Sequence, residues 1–206
     1  MHFLEPVTLT GRHWVVLEPL QSAHANALLD AAKDGELWKL WYTSVGDANA
    51  VDGYVDNALK MSDAFGALPF VVRRKSDGKI VGSTRYFNVD AKNRRLEIGY
   101  TWYSRSAQRS GINTEAKFLL LKHAFETMHC IAVEFRTHWF NFDSRAAIAR
   151  LGAKQDGVLR NHQRAPNGTL RDTVVFSIIA SEWPTVKTHL RYQLDKSRAV
   201  STPCGA

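Results

Sequence analysis

Apolar positions recur with a period of two in some stretches and close to 3.6 in others, and their order along the chain predicts an α/β fold. His13-Trp14-Val15-Val16-Leu17 is rich in β-branched and aromatic residues and closes at Glu18-Pro19, which predicts a first strand. Gln21 to Lys33 is rich in Ala and Leu, with Ser22 suited to cap it, and reads as a helix. A second helix is expected from about Val51 to Phe65, ended by Gly66. Between the two, residues 36 to 46 hold Trp38, Trp41 and Tyr42 without a regular period, a stretch suited to covering a pocket.

The middle of the chain changes to strands: Leu68 to Arg74, Lys79 to Asn88 and Arg94 to Tyr103, joined through Lys75-Ser76-Asp77-Gly78 and through Asp90 to Asn93. That is an antiparallel meander. Thr114 to Met128 predicts a helix with Phe118, Leu121, Phe125 and Met128 on one face and Lys117, Lys122 and Glu126 elsewhere. Ile131 to Trp139 is again strand-like, and a short helix from Phe142 to Leu151 stops at Gly152. Lys154 to Gln163 and Thr169 to Ile179 close the pattern as two strands joined through Pro166-Asn167-Gly168. The crossover between the strands at 94 and 139 normally makes parallel neighbours, so the sheet is expected to be mixed. Residues 1–194 are expected to form one domain and 195–206 a disordered tail, with no internal repeat.

Composition narrows the function classes. With 206 residues, 45% of them hydrophobic and 23% charged, the chain can bury a full core without staples. No apolar run approaches the roughly 20 residues that cross a bilayer. Glu5, Pro6, Arg12, Glu18 and Pro19 interrupt any export signal near the start, so a cytoplasmic location is expected. Cys130 and Cys204 make no disulfide framework, and His123 and His129 lack an acidic companion at a useful offset, so no metal is expected. The net charge of +7 is spread in short groups such as Arg73-Arg74-Lys75 and Arg94-Arg95. Aromatic residues do not interleave with them as stacking platforms would, which argues against nucleic acid as a partner.

Gln108-Arg109-Ser110-Gly111-Ile112-Asn113-Thr114-Glu115-Ala116 follows a strand-like run and opens into a helix-like one. The first turn of a helix carries N–H groups without intrahelical partners and partial positive charge, so an anion such as phosphate can dock on main chain alone. Gly111, without a Cβ, permits close approach of the backbone. Glu115 complements the helix dipole and is assigned a structural role.

These residues, taken with others in order, resemble the GNAT superfamily of acetyl-CoA-dependent N-acetyltransferases, in the branch of the ribosomal-protein N-terminal acetyltransferases. The resemblance spans about residues 7 to 190. It rests on Gly11-Arg12, Leu17-Glu18-Pro19-Leu20, Val81-Gly82-Ser83-Thr84, Glu97-Ile98-Gly99-Tyr100-Thr101-Trp102, Gln108 to Ala116, Asn141 with Ser144, Arg150-Leu151-Gly152, Gly157-Val158-Leu159-Arg160 and Glu182-Trp183-Pro184. Gln108 and Gly111 meet the family's pyrophosphate-loop pattern of Gln or Arg, two residues, Gly, one residue, then Gly or Ala. Asn113 departs from it at the last place.

The resemblance implies a GNAT-type mixed, mostly antiparallel sheet flanked by helices, with two strands splayed to form an acetyl-CoA notch. It implies pantetheine on Thr101, Trp102 and Tyr103, pyrophosphate on Gln108, Arg109, Ser110, Gly111, Ile112, Asn113 and Thr114, and Arg105 or Arg109 reaching phosphate. Asn141 would hold the pantetheine arm. A primary amine, with a pKa of about 10, must lose a proton before it attacks, while an N-terminal amine near about 8 needs less help. Glu97 is the candidate base, with a surface ion pair to Arg94 or Arg95 as its plain alternative. Many family members have a Tyr seven residues after the Asn of the short helix; that position is Ile148, and Ser144 would donate to the leaving thiolate instead. The plain alternative for Ser144 is a helix-start cap, and for His138 a structural histidine. Trp38, Trp41, Tyr42 and Phe65 either belong to the core or an interface or line the acceptor side, and in the second case they favour an apolar or peptide-like amine over a polycation. The acceptor is thus a protein N-terminus or a small-molecule amine, and the family tends to dimerise. The rival reading is a catalytically weak GNAT-fold module that senses acyl-CoA or binds a protein.

Overall fold

A computed structural model describes residues 3–39, 50–63, 66–165 and 167–201. Eight strands form one sheet: β1 (Leu9–Thr10), β2 (Val15–Pro19), β3 (Ala67–Arg74), β4 (Ile80–Asp90), β5 (Arg95–Tyr103), β6 (Ala132–His138), β7 (Lys154–Arg164) and β8 (Leu170–Ile179). Their order is β1-β2-β3-β4-β5-β6-β8-β7. Every neighbouring pair is antiparallel except β5 with β6, the parallel pair expected from the crossover. The helices are α1 (Ala25–Lys33), α2 (Val51–Asp63), α3 (Ile112–Lys122), α4 (Phe142–Arg150) and α5 (Trp183–Ser201).

The sheet is buried on both faces. On one, Leu17, Phe70, Tyr86, Leu96, Ile98, Val133, Phe135 and Phe176 pack with Leu120 and Leu121 of α3 and Trp183 and Leu190 of α5. A smaller cluster joins Leu28 of α1, Val55 and Ala58 of α2, and Val71 and Ile80 of the sheet. Burial at positions 28, 31 and 32 of α1 is the helical spacing its sequence predicts.

Several expectations need correction. Gln21, not Ser22, stands at the first helix start, exchanging hydrogen bonds with His24 in a capping box. α3 begins at Ile112, two residues before the expected Thr114, and ends in a π-helical turn, His123–Thr127. Its buried face carries Ala116, Lys117, Leu120 and Leu121, so Lys117 is inside rather than on the solvent face. Phe118 is only partly buried and faces α5, its ring centroid 6.2 Å from that of Trp183. α5 itself was absent from the expectation although Trp183, Val186, Leu190 and Leu194 are buried at helical spacing. It runs to Ser201, past the domain boundary expected at 194, so residues 195–201 are helical. β1 was also absent, being too short to show a period.

Candidate active site

β5 and β6 are paired only from Arg95↔Ala132 to Glu97↔Glu134. Beyond that register the strands have no pairing with each other, and residues Ile98 to Tyr103 of β5 have a main-chain edge open toward β6. Such an edge needs partners, and an extended, amide-bearing chain supplies them as an added strand does. The opposite edge of β5 is held by β4, but irregularly: Ser83 faces Trp102 and Arg85 faces Gly99, so Thr84 stands against both Tyr100 and Thr101. This is a β-bulge, and it puts Tyr100 at φ +50°. The bulge sends neighbouring side chains to different surroundings. Thr101 Oγ1 meets Thr84 Oγ1 at 2.8 Å and accepts from Lys117 Nζ at 2.5 Å. Tyr100 lies over the Arg85 guanidinium, 3.9 Å from ring centroid to Cζ. Trp102 donates through Nε1 to the Tyr54 hydroxyl at 3.0 Å, and Tyr103 is buried, with burial raising its phenol pKa.

The loop after β5 closes on itself through side chains. Gln108 Nε2 donates to Tyr103 O at 3.0 Å, Ser110 Oγ donates to Ala107 O at 2.6 Å, and Ile112 N donates to Ser110 Oγ at 3.3 Å. Arg109 is exposed at φ +56°. Among the described residues, no acceptor meets the main-chain N–H of Arg109, Ser110, Gly111, Asn113 or Thr114. Five donors at the mouth of α3 are therefore available to an anion, as the loop's sequence predicts. Asn113 Oδ1 is buried there without a partner among the described residues.

Two glycines in this region serve packing. A Cβ on Gly111 would lie 2.8 to 2.9 Å from the Trp14 indole, so the close approach that this glycine permits is to Trp14. A Cβ on Gly11 would collide with the Glu115 carboxylate at 2.4 Å. That carboxylate, 1% exposed, accepts from the main-chain N–H of His13 at 2.7 Å, Trp14 at 2.6 Å and Val15 at 2.9 Å. Glu115 thus ties the start of α3 to β2, the structural role assigned to it.

Asn141 caps α4, its Oδ1 accepting from Ser144 N at 3.0 Å. The capping group of Ser144 is its main chain, and no described residue bonds its half-buried hydroxyl. His138 is buried at the end of β6, where Nδ1 accepts from Phe140 N at 3.1 Å and burial lowers its pKa. Trp38 is half-buried in a 3-10 turn, Leu37–Lys39, while Trp41, Tyr42 and Phe65 lie outside the described residues.

Glu97 is not in a surface pair with Arg94 or Arg95. It is 4% exposed, accepts from Asn88 Nδ2 at 2.9 Å, and lies 3.5 Å from Arg136 Nε. Burial raises its pKa, against the lowering effect of Asn88 and Arg136. A second bulge, at Asn88 with φ +47°, brings the amide into reach. A cavity of about 440 Å³ lies beside it, lined by Asn88, Asp90, Glu97, Glu134 and Arg136 among others.

Sequence reasoning missed Lys117, Arg85, Tyr100, Asn88, Arg136 and Arg171. Lys117 is 5% exposed and donates to Thr84 Oγ1 at 3.0 Å as well as to Thr101. Burial pushes its pKa down to about 7. Its signal was legible: positions 117, 120, 121 and 124 make a helical stripe in which a lysine replaces an apolar residue. Arg85 was equally legible as the one charged residue between Ile80 and Val89.

Comparison with known proteins agrees with this architecture. Residues 15–154 match the family model described as acetyltransferase (GNAT) domain. A Bacillus subtilis protein named as a ribosomal N-acetyltransferase, YdaF, is 34% identical over 107 residues, covering 52% of this chain and 57% of that relative. Among solved structures, a GCN5-related N-acetyltransferase from Brucella melitensis superposes with a TM-score of 0.82 at 30% identity, covering 93% of this chain and 86% of that one. An acetyltransferase from T. thermophilus gives 0.81 at 33%, covering 93% and 98%. Mycobacterium smegmatis RimJ, solved with CoA-disulfide, shares the fold at a TM-score of 0.77 and 24% identity, covering 91% and 95%. The chain belongs to the GNAT family of acetyltransferases, whose chemistry is transfer of an acetyl group from acetyl-CoA to an amine.

Proposed function

We propose that this protein transfers the acetyl group of acetyl-CoA to an amine, a protein N-terminus or a small-molecule amine, by direct attack in a ternary complex. The observation that carries this reading is the pairing gap between β5 and β6 next to a helix mouth with five unmet N–H donors. The residues fit the cofactor: Thr101, Trp102 and Tyr103 offer main chain to the pantetheine amides, and Arg109, Ser110, Gly111, Asn113 and Thr114 offer main-chain N–H groups to the pyrophosphate, with the Arg109 side chain exposed beside them. Asn141, which follows β6 and caps α4, is the residue proposed to hold the pantetheine arm.

Acetyl-CoA supplies an activated thioester carbonyl. Glu97, buried and with a raised pKa, takes the proton that the attacking amine must lose. As the C–N bond forms and the C–S bond breaks, the Ser144 hydroxyl donates to the departing thiolate. The protein-terminus arm is supported by the name of the Bacillus subtilis relative, and the small-amine arm by the modest cavity beside Glu97.

Ser144→Ala tests the assignment without disturbing the cap, because the capping donor is the main-chain N–H. The expected result, followed by mass spectrometry of acetylated amines, is a loss of about tenfold or more in turnover with acetyl-CoA affinity nearly kept. Equal turnover in mutant and wild type would leave Ser144 only its place in the helix start.

A further inference from the structure

Arg85 is a guanidinium buried without an anion. It is 1% exposed, and among the described residues its Nε has no partner and its one hydrogen bond is from Nη1 to Met61 Sδ at 3.2 Å. The rings of Tyr54 and Tyr100 stand at 5.6 and 3.9 Å from its Cζ. Arg171 on β8 is half-buried, its Nε also has no hydrogen-bond partner among the described residues, and Glu97 and Tyr100 bear on its charge. Four arginines of the sheet are matched with carboxylates, Arg73 with Glu18, Arg74 with Asp77, Arg95 with Glu134 and Arg160 with Asp172.

Arginine does not shed its proton to escape burial, and an uncompensated buried charge is costly. Around Glu97, Arg95, Arg136 and Arg171 share three carboxylates, Asp90, Glu97 and Glu134, whereas Arg85 meets none among the described residues. The charge of Arg85 is left over. Tyr100, at the bulge of β5, touches Arg85 and neighbours Arg171, so these two guanidiniums, on β4 and β8, both border the bulge of β5. A planar anion such as carboxylate meets guanidinium through paired hydrogen bonds, which is the match these side chains lack.

We infer that the acceptor carries a carboxylate close to its reacting amine, and that Arg85 and Arg171 bind it while the amine faces Glu97. This rests on the acetyltransferase reading above. The carboxylate can belong to a free amino acid or to an acidic side chain next to a peptide N-terminus.

Two matched pairs of probes separate those sources: serine against serine amide, and the amidated tetrapeptide Ser-Glu-Ala-Gly against Ser-Gln-Ala-Gly. The carboxylate-bearing member of at least one pair is expected to have a kcat/KM higher by about tenfold or more, mostly through KM, with the preference reduced to about twofold or less in Arg171→Gln. Arg171→Lys should keep part of it. Arg171 is the primary target because Arg85 lies deeper and its removal can disturb folding. No preference in either pair, or a preference that survives Arg171→Gln, overturns the inference and leaves acetyl transfer standing. If no amine is acetylated, calorimetric titration of the same probes in the presence of coenzyme A decides. Carboxylate-dependent binding lost in Arg171→Gln keeps the anion site and ends the transfer reading, and equal or absent binding ends the inference.

Discussion

Glu115 carries the clearest single-residue prediction. Its carboxylate accepts from three consecutive main-chain N–H groups, and hydrogen bonds to a charged group contribute about 1.5–3 kcal/mol each. Glu115→Ala strands those donors in a buried place, so thermal unfolding should show a loss of roughly 3 kcal/mol or more, a fall in Tm of roughly 6 °C or more. A change under about 1 °C would mean that water satisfies the donors. Glu97 makes a prediction about pH. Its pKa is raised above the ordinary 4.5 by burial, so as a base it loses activity when pH falls through that raised value. The acid limb of kcat/KM should therefore lie above 4.5, and Glu97→Gln should be slow without that limb. An unchanged limb in the mutant would move the base elsewhere. The sequence pointed to both residues by type and place. It did not disclose their partners, because His13, Trp14, Val15, Asn88 and Arg136 reach them only through strand register and bulges.

At the scale of elements, the bulge in β5 is held from below by α3. Lys117 Nζ donates to Thr84 and Thr101, joining the helix to both strands of the bulge. Burial lowers its pKa from 10.5 to about 7, so the unfolded chain binds the extra proton across that window. The penalty is fully present below about 7 and gone above 10.5, and this residue alone makes stability rise with pH between them. In denaturant titrations, Lys117→Met should be most favourable relative to wild type at pH 7 and below, and should lose ground to wild type as pH rises toward 10.5. A difference independent of pH across that window would show that Lys117 is neutral or solvated throughout. The meander β3–β4–β5 and the crossover to β6 were legible because their apolar period and turn residues agree. α5 was legible too, in Trp183, Val186, Leu190 and Leu194, yet the polar residues between them obscured the stripe. Both bulges escaped reading, since a one-residue irregularity leaves no mark on the period.

Over the whole molecule, the pairing of β5 with β6 stops after Glu97↔Glu134, and the chain leaves these two strands into the anion-type loop and into α4. No described helix is long and apolar enough to cross a membrane. Sequence motifs sufficed for the family and for the loop, because the loop's chemistry resides in main chain. The acceptor face was not legible, since it is assembled from single residues on β4, β5, β6 and β8. The central claim is that the parted strands and the helix mouth hold acetyl-CoA. Calorimetric titration of the purified protein at physiological salt with acetyl-CoA, coenzyme A and ATP tests it most directly. Saturable binding of both coenzyme A species with much weaker binding of ATP is the predicted result, and absence of coenzyme A binding by the folded protein would contradict it.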